Sequence, residues 1–221
     1  TDAGRKGMMG DYTRYDAAPA TKLAKLHHAV DDAVKRVNGL EWDKTRTPPQ
    51  QHQAGRKIAE AVVAEITKTR AEVKQWAEME TASAMDEIDR ALSPDIGTAA
   101  QVLRSEIRAF VLSKKGDPDF IVELRGLVET DLRFATAIFE APAALSGISP
   151  ERQNTLRMSA AIAHAPEAAE RVRVAQEVAS LDAKLASVAA EIPRSFYNPG
   201  VEKGMATRVE VDAPLATGEG E

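Results

Sequence analysis

Four histidines are the side chains of this 221-residue sequence best suited to bind a metal or transfer a proton near neutral pH. They are His27, His28, His52 and His164. A zinc or di-metal site needs spacings such as His-Glu-x-x-His or paired Glu-x-x-His, and neither pattern occurs in the sequence. We therefore predict surface or half-buried histidines and no metal site.

Acidic residues form a second candidate group within one short stretch. The group comprises Glu78, Glu80, Asp86, Glu87 and Asp89. No Glu-x-x-His pair accompanies these carboxylates, although a di-metal site in a helical bundle requires one on each of two helices. The preferred interpretation is a solvated acidic helix face.

Motifs for phosphate binding and nucleophilic catalysis are missing as well. Gly4, Gly7 and Gly10 are spaced like a glycine-rich loop, but no Gly-Lys-Ser/Thr follows them. The sequence has no Gly-x-Ser-x-Gly nucleophile motif. It also has no cysteine, which excludes a thiolate nucleophile, a disulfide and a thiolate metal site. The sequence thus predicts a protein that is not an enzyme, with no catalytic, cofactor-binding or metal-binding residues.

One group of polar side chains is of the types that read DNA bases. Arg152, Gln153, Asn154 and Arg157 lie near the start of a short predicted helix and follow Gly147, as in a helix-turn-helix. The helix after it is acidic at its start and rich in alanine. We therefore favour first-turn surface residues of an ordinary helix and keep a recognition helix as the alternative.

Helices must position all of these side chains. The sequence is 43% hydrophobic but only 5% aromatic, so alanine, the best helix former, supplies much of the apolar fraction. Apolar residues recur with helical spacing in six stretches. These are residues 19–37, 49–92, 94–114, 118–140, 150–164 and 166–192.

Helix starts are marked by a capping side chain, then proline, then an acid. The pattern occurs at Ser93-Pro94-Asp95, Asp117-Pro118-Asp119 and Ser149-Pro150-Glu151, and Ala165-Pro166-Glu167 lacks only the cap. Residues 118–140 have the widest apolar surface, which predicts a helix at the centre of the bundle.

The second helix and the loop before it give two further expectations. The loop "LEWDKTRTPP" should be anchored by Trp42. Residues 49–92 contain no breaker except Gly55 and would span about 65 Å as one helix. Either this helix breaks near residues 81–83, or the molecule is elongated.

The last helix has a narrow apolar seam. Its a and d heptad positions are Val174, Val178, Leu181, Leu185, Val188 and Ile192. Arg171 occupies the next a position upstream, so the seam is shorter than the three to four heptads that indicate a free-standing coiled coil. The pattern therefore predicts an intramolecular seam that packs on residues 118–140.

Together these signals predict an all-α fold, an elongated bundle of about six helices with extended arms. The predicted domains are an N-terminal arm (1–17), a helical bundle (18–193) and a C-terminal arm (194–221). "TRVEVDAP" in the second arm alternates weakly and could add a strand to a partner's sheet. No secretory signal or membrane-spanning stretch is predicted, which indicates a soluble cytosolic chain.

Charge is distributed unevenly along the chain. Residues 1–75 contain 14 Lys and Arg against 10 Asp and Glu, whereas the whole chain has a net charge of −5. A basic N-terminal third could contact phosphates or an acidic partner. Ordinary solvated helix faces are the simpler interpretation.

Residues 141–181 resemble an alanine-rich helical hairpin of small, uncharacterised proteins of tailed bacteriophages. The matching elements are Leu145-Ser146-Gly147, Ser149-Pro150-Glu151 and Pro166-Glu167. They are helix boundaries, and they bring no catalytic residues with them. The resemblance implies a virion or head-morphogenesis protein.

The function expected from this resemblance is a non-enzymatic structural component of a tailed-phage particle, in particular a head–tail connector or adaptor. It would be made in the host cytoplasm, act in the virion as an oligomer and bind no membrane. Its arms, residues 1–17 and 194–221, would contact other virion proteins or copies of itself. The alternative is a nucleic-acid-associated regulatory or packaging protein that uses the basic N-terminal third.

Overall fold

The computed structural model describes residues 17–93, 97–117 and 119–205, and all regular secondary structure in these ranges is helical. The predicted all-α class is therefore confirmed for this part of the chain. It contains eight α-helices and two short 3-10 helices. The α-helices are α1 (Ala17–Leu40), α2 (Pro48–Leu92), α3 (Thr98–Ser113), α4 (Phe120–Thr130), α5 (Leu132–Phe139), α6 (Pro150–His164), α7 (Pro166–Phe196) and α8 (Pro199–Glu202), and the 3-10 helices are Ala143–Ser146 and Lys203–Met205.

The chain divides into two compact units. Among the described residues, unit 1 combines 17–73 with 181–205, and unit 2 comprises 74–93, 97–117 and 119–180. Both boundaries fall inside long helices, so α2 and α7 each contribute residues to both units. The domains predicted from the sequence, an arm (1–17), a helical bundle (18–193) and a second arm (194–221), stay a prediction.

The core of unit 1 is built from α1, the first half of α2 and the last turns of α7. Its buried side chains recur three, four or seven residues apart, which brings them to one face of each helix. They are Leu26, Ala33, Ala59, Val62, Ile66 and Ile192. Leu185 and Val188 pack against this cluster. The prediction that the whole α7 seam packs on residues 118–140 is therefore wrong for its C-terminal half.

The core of unit 2 is larger and combines the end of α2 with α3 to α6 and the start of α7. Its fully buried large side chains include Ile88, Leu92, Leu124, Val128 and Ile138. Helix α4 packs against α5 and α6, while α3 packs against α5.

The single helix predicted over residues 118–140 is wrong, because Asp131 divides it into α4 and α5. Asp131 is extended (φ −127°, ψ 108°), and its side chain accepts the backbone N–H of Arg133 at 2.9 Å as the cap of α5. Hydrogen bonds from the Arg133 guanidinium hold the pKa of the Asp131 carboxyl below its usual value. The apolar pattern missed this break because aspartate leaves the spacing of its neighbours unchanged.

The capping-residue and proline pattern predicts the starts of α6 and α7 correctly but not that of α3. Ser149 caps α6 as predicted, since its Oγ accepts the Arg152 N–H at 3.3 Å, and α7 begins at Pro166. Helix α3 begins at Thr98, four residues later than predicted, and Gly97 at its cap offers no side-chain hydrogen bond. Residues 94–96 of the predicted signal lie outside the described residues.

The longest helix, α2, runs unbroken through residues 81–83. Its apolar stripe blurs there because small side chains replace large ones: Ala77 and Ala84 are buried. The sequence left two alternatives, a break near residues 81–83 or an elongated molecule. The predicted break is wrong. Helix α7 also continues past its predicted end at 192, through Pro193 to Phe196.

Trp42 does not anchor the loop between α1 and α2, because its side chain is 80% exposed. Asp43 organises this loop instead. Its Oδ1 accepts the Thr45 N–H at 3.0 Å, and its carbonyl oxygen accepts the Gln51 side-chain amide at 3.0 Å.

The first part of the predicted C-terminal arm, residues 194–205, is helical except at 197–198 and contacts α2 within unit 1. The Asn198 N–H donates to Nδ1 of His52 at 3.2 Å, and Arg56 binds Glu202 at 3.1 Å. Gly55 permits this approach, since a Cβ there would lie 2.6 Å from the Phe196 carbonyl oxygen. Residues 1–16 and 206–221, including the predicted strand, lie outside the described residues.

Candidate functional site

The four histidines lie apart and take part in local structure. His27 Nε2 lies 3.1 Å from Asp31, one helical turn away, and His164 Nε2 lies 2.8 Å from the carbonyl oxygen of Val128. His52 accepts the hydrogen bond from Asn198 described above. Within residues 17–93, 97–117 and 119–205, no three His, Asp or Glu residues are grouped as a metal ion would require.

The acidic stretch of α2 is not simply the solvated face that was predicted. Three of its five carboxylates pair with arginines of other helices inside unit 2. Arg171 of α7 binds Glu80 at 2.5 Å and Glu87 at 2.7 Å, and Arg157 of α6 contacts Asp89. Arg171 occupies the a position just upstream of the apolar seam of α7. At this position an ion-pair cluster replaces apolar contacts.

Two of the four possible base-reading side chains are used inside unit 2. Gln153 donates to the carbonyl oxygens of Ile138 at 2.7 Å and Ala141 at 3.0 Å, which ties α6 to the end of α5. Arg157 is half-buried, and burial lowers the pKa of its guanidinium. Arg152 and Asn154 are exposed, and the recognition helix stays an alternative prediction.

About half of the described basic residues of the N-terminal third are paired with acids within unit 1. Lys22 contacts Glu72, Arg36 binds Asp32 at 2.7 Å, and Arg70 binds Asp182 at 2.8 Å. Arg46 and Arg56 are paired with acids in the same way. These pairs reduce the charge available to an outside phosphate.

Helix α3 exposes a strip of apolar side chains. Its buried face consists of Arg104, Ile107 and Val111, whereas Leu103 and Phe110 are 38% and 40% exposed. Val102, also 57% exposed, completes the strip. Helical spacing would place Leu103 and Phe110 on the buried face with Ile107; Leu103 is instead exposed, while the Phe110 ring keeps edge contacts with Phe120 and Phe134.

An ion pair explains why α3 buries the face that carries Arg104 and leaves Leu103 exposed. Nη1 of Arg104 lies 2.9 and 3.0 Å from the two carboxylate oxygens of Glu140, so a buried guanidinium pairs with a carboxylate whose side chain is 45% exposed. Arg108 donates to the Ala137 carbonyl oxygen at 3.2 Å from the same side. Sequence periodicity ranks arginine as exposed and cannot anticipate a guanidinium that is buried by pairing.

A second surface feature of unit 2 is a cleft of about 200 Å³, here called the basic cleft. One wall is the turn after α3, where Gly116 (φ 99°) ends the helix. The other wall is the turn before α6, where Gly147 also has a positive φ of 68°. A Cβ on Gly147 would lie 2.8 Å from a methyl of Leu112 and 3.3 Å from Cδ of Lys115, so the two walls touch here.

Charged residues line the basic cleft unequally. Lys114, Lys115 and Arg152 contribute positive charge, and Asp117 is the acid among the lining residues. The three cationic side chains form no ion pair with any described residue. Ser146 also lines the cleft: it is 1% exposed, and its hydroxyl has no hydrogen-bond partner in the described part of the chain.

The positive N-terminus of α6, beside Arg152, is already occupied by the carboxylate of Glu151. The pKa of Glu151 is lowered by hydrogen bonds from its own backbone N–H and from the Ser149 hydroxyl. The helix terminus is therefore capped from within, and the charge of the basic cleft comes from side chains. The sequence singled out Arg152 as a base reader and missed both lysines, since a Lys-Lys pair at a helix end is an ordinary feature.

Comparisons with protein-family models, with curated proteins and with solved structures give no match for this chain. Among the described helices, none is both long and apolar enough to cross a membrane.

Proposed function

We propose that this chain is a non-enzymatic structural component of a tailed-phage particle, namely a head–tail connector or adaptor that contacts neighbouring subunits. The observation on which this proposal rests is the apolar strip of α3, formed by Val102, Leu103 and Phe110. Adjacent exposed apolar side chains are typical of a surface that another protein covers. The phage setting rests on the resemblance of residues 141–181.

The occupant that we propose for the strip is a second copy of this chain. The strip is one helix wide, and a single helix packed at about 8–10 Å would cover it. Rings form when two different surfaces of the same chain meet around a closed rotation axis. In this scheme the strip is one of those surfaces, and residues 1–17 and 206–221 add contacts to the neighbour.

The test replaces Val102 and Leu103 together with serine in the full chain. The native chain should form a species of several copies by light scattering at micromolar concentration, and the double variant should remain a monomer. Ile162→Ser is the matched control, because Ile162 is 65% exposed on α6 and lies outside the strip. Its assembly should equal that of the native chain, with melting temperatures confirming that all three proteins fold.

Two results would contradict the proposal. A native chain that stays monomeric at every concentration would exclude self-assembly, and a double variant that assembles normally would exclude the strip. Electron micrographs of the assembled fraction should show closed rings. Open filaments or simple dimers would overturn the connector assignment.

A further inference from the structure

We propose that the basic cleft of unit 2 binds a phosphoryl group, held by Lys114, Lys115 and Arg152 and by the Ser146 hydroxyl. This inference goes beyond the proposed function, because it assigns a ligand to a surface separate from the strip of α3. The cleft could take free phosphate or a phosphoryl group of a larger ligand. Both present the same oxygens to the same side chains.

Charge is the first argument for an anion. Three cationic side chains converge on a cleft whose lining contains one carboxylate, that of Asp117. This carboxylate is partly engaged, since its Oδ1 accepts the Asp119 N–H at 3.1 Å. Elsewhere in both units most of the described arginines pair with nearby acids, as Arg70 does with Asp182. A group of cations without such acids leaves room for an anion from outside.

Ser146 is the second and independent argument. A buried hydroxyl without a hydrogen-bond partner is unfavourable, and most buried polar groups in native proteins are paired. Ser146 is 1% exposed and is among the residues that line the cleft, and its buried hydroxyl has no partner in the described part of the chain. An oxygen of a bound phosphoryl group can accept this O–H, which removes the unpaired donor.

Size limits the ligand to a small group. The cleft measures about 200 Å³, below the 300–1,000 Å³ that is usual for drug-sized molecules. A single phosphoryl group suits this volume, and the rest of any larger ligand would extend into solvent.

The experiment titrates inorganic phosphate into the full chain at constant ionic strength and follows amide chemical shifts by NMR. We expect saturable shifts centred on residues 114–117 and 146–152, with a dissociation constant on the order of 1 mM. The variant Lys115→Gln/Arg152→Gln should weaken binding by about tenfold or more, since it removes two of three cations. Lys184→Gln/Arg194→Gln is the control with the same charge change at exposed positions of α7, and it should bind phosphate like the native chain.

Ser146→Ala separates binding from folding. It deletes a hydroxyl that is unpaired in the absence of ligand, so the melting temperature should not fall while the affinity for phosphate drops several-fold. Phosphate that produces only small, linear shifts, or that binds equally to the native chain and to the Lys115/Arg152 variant, would overturn the proposal. A second titration uses a short DNA duplex with and without saturating phosphate. If phosphate displaces the duplex, the natural phosphoryl group belongs to a nucleic acid backbone; if the duplex does not bind, it belongs to a small ligand.

Discussion

At the scale of single residues, Gly55 shows how one missing side chain determines a contact between distant parts of the chain. It lies inside α2, where alanine would normally stabilise the helix by about 0.5–1 kcal/mol relative to glycine. A Cβ at this position would lie 2.6 Å from the Phe196 carbonyl oxygen, and a backbone atom cannot easily move away. We therefore expect Gly55→Ala to destabilise the protein in urea unfolding, contrary to its helix propensity.

The chain contains a matched control for this substitution. Gly126 lies inside α4, and a Cβ there would meet nothing within 4 Å. Gly126→Ala should therefore stabilise the protein by up to about 1 kcal/mol. If both variants gain stability, the approach of residues 194–205 to α2 is looser than the structure indicates.

Single residues also explain what the sequence did and did not predict. Ser149-Pro150-Glu151 identified a helix start because capping, the fixed φ of proline and the helix dipole all act locally. Asp131 and Arg104 were missed for a different reason. Each residue depends on a partner, Arg133 or Glu140, whose position the local pattern does not reveal. The basic cleft was missed likewise, because it brings together residues 114–117 and 146–152.

At the scale of elements, α7 shows what an apolar seam in the sequence can and cannot predict. The heptad positions correctly predicted a helix and one of its faces, but the spacing says nothing about the partner. Residues at the start of α7 belong to the core of unit 2, whereas Leu185, Val188 and Ile192 belong to that of unit 1. Residues of the seam are also buried to different extents: Val178 is fully buried, whereas Leu181 is half-buried.

This difference in depth predicts unequal effects of the same substitution along α7. Val178→Asp places an unpaired charge in a fully buried site and should cost at least about 3 kcal/mol of unfolding free energy. Leu181→Asp should cost clearly less, because its carboxylate can reach water, although the heptad pattern treats the two positions alike. Urea unfolding at neutral pH measures both, with Ala183→Asp at an exposed position as the control. Equal losses for Val178 and Leu181 would show that the seam is buried more uniformly than the structure indicates.

At the scale of the whole molecule, two cores are connected by helices that run through both units. Helix formation is cooperative, so loss of α2 or α7 in one unit removes neighbouring turns that support the other. We therefore expect both units to unfold in a single transition. Ile66→Ala in unit 1 and Leu124→Ala in unit 2 remove fully buried side chains, and each should cost about 2–5 kcal/mol.

Two probes can show whether the transitions coincide. Far-UV circular dichroism follows the helices of both units, while fluorescence of the half-buried Trp76 follows unit 2. Trp42 is replaced by phenylalanine in all proteins to remove its signal, and its 80% exposure makes this change harmless to the fold. Ile66 lies in unit 1 and Trp76 in unit 2. If the helices couple the two units, Ile66→Ala should shift the unfolding midpoint measured by Trp76 fluorescence as far as the midpoint measured by circular dichroism. If the dichroism moves while the Trp76 midpoint stays in place, the units unfold independently, and the continuity of α2 and α7 does not couple their stabilities.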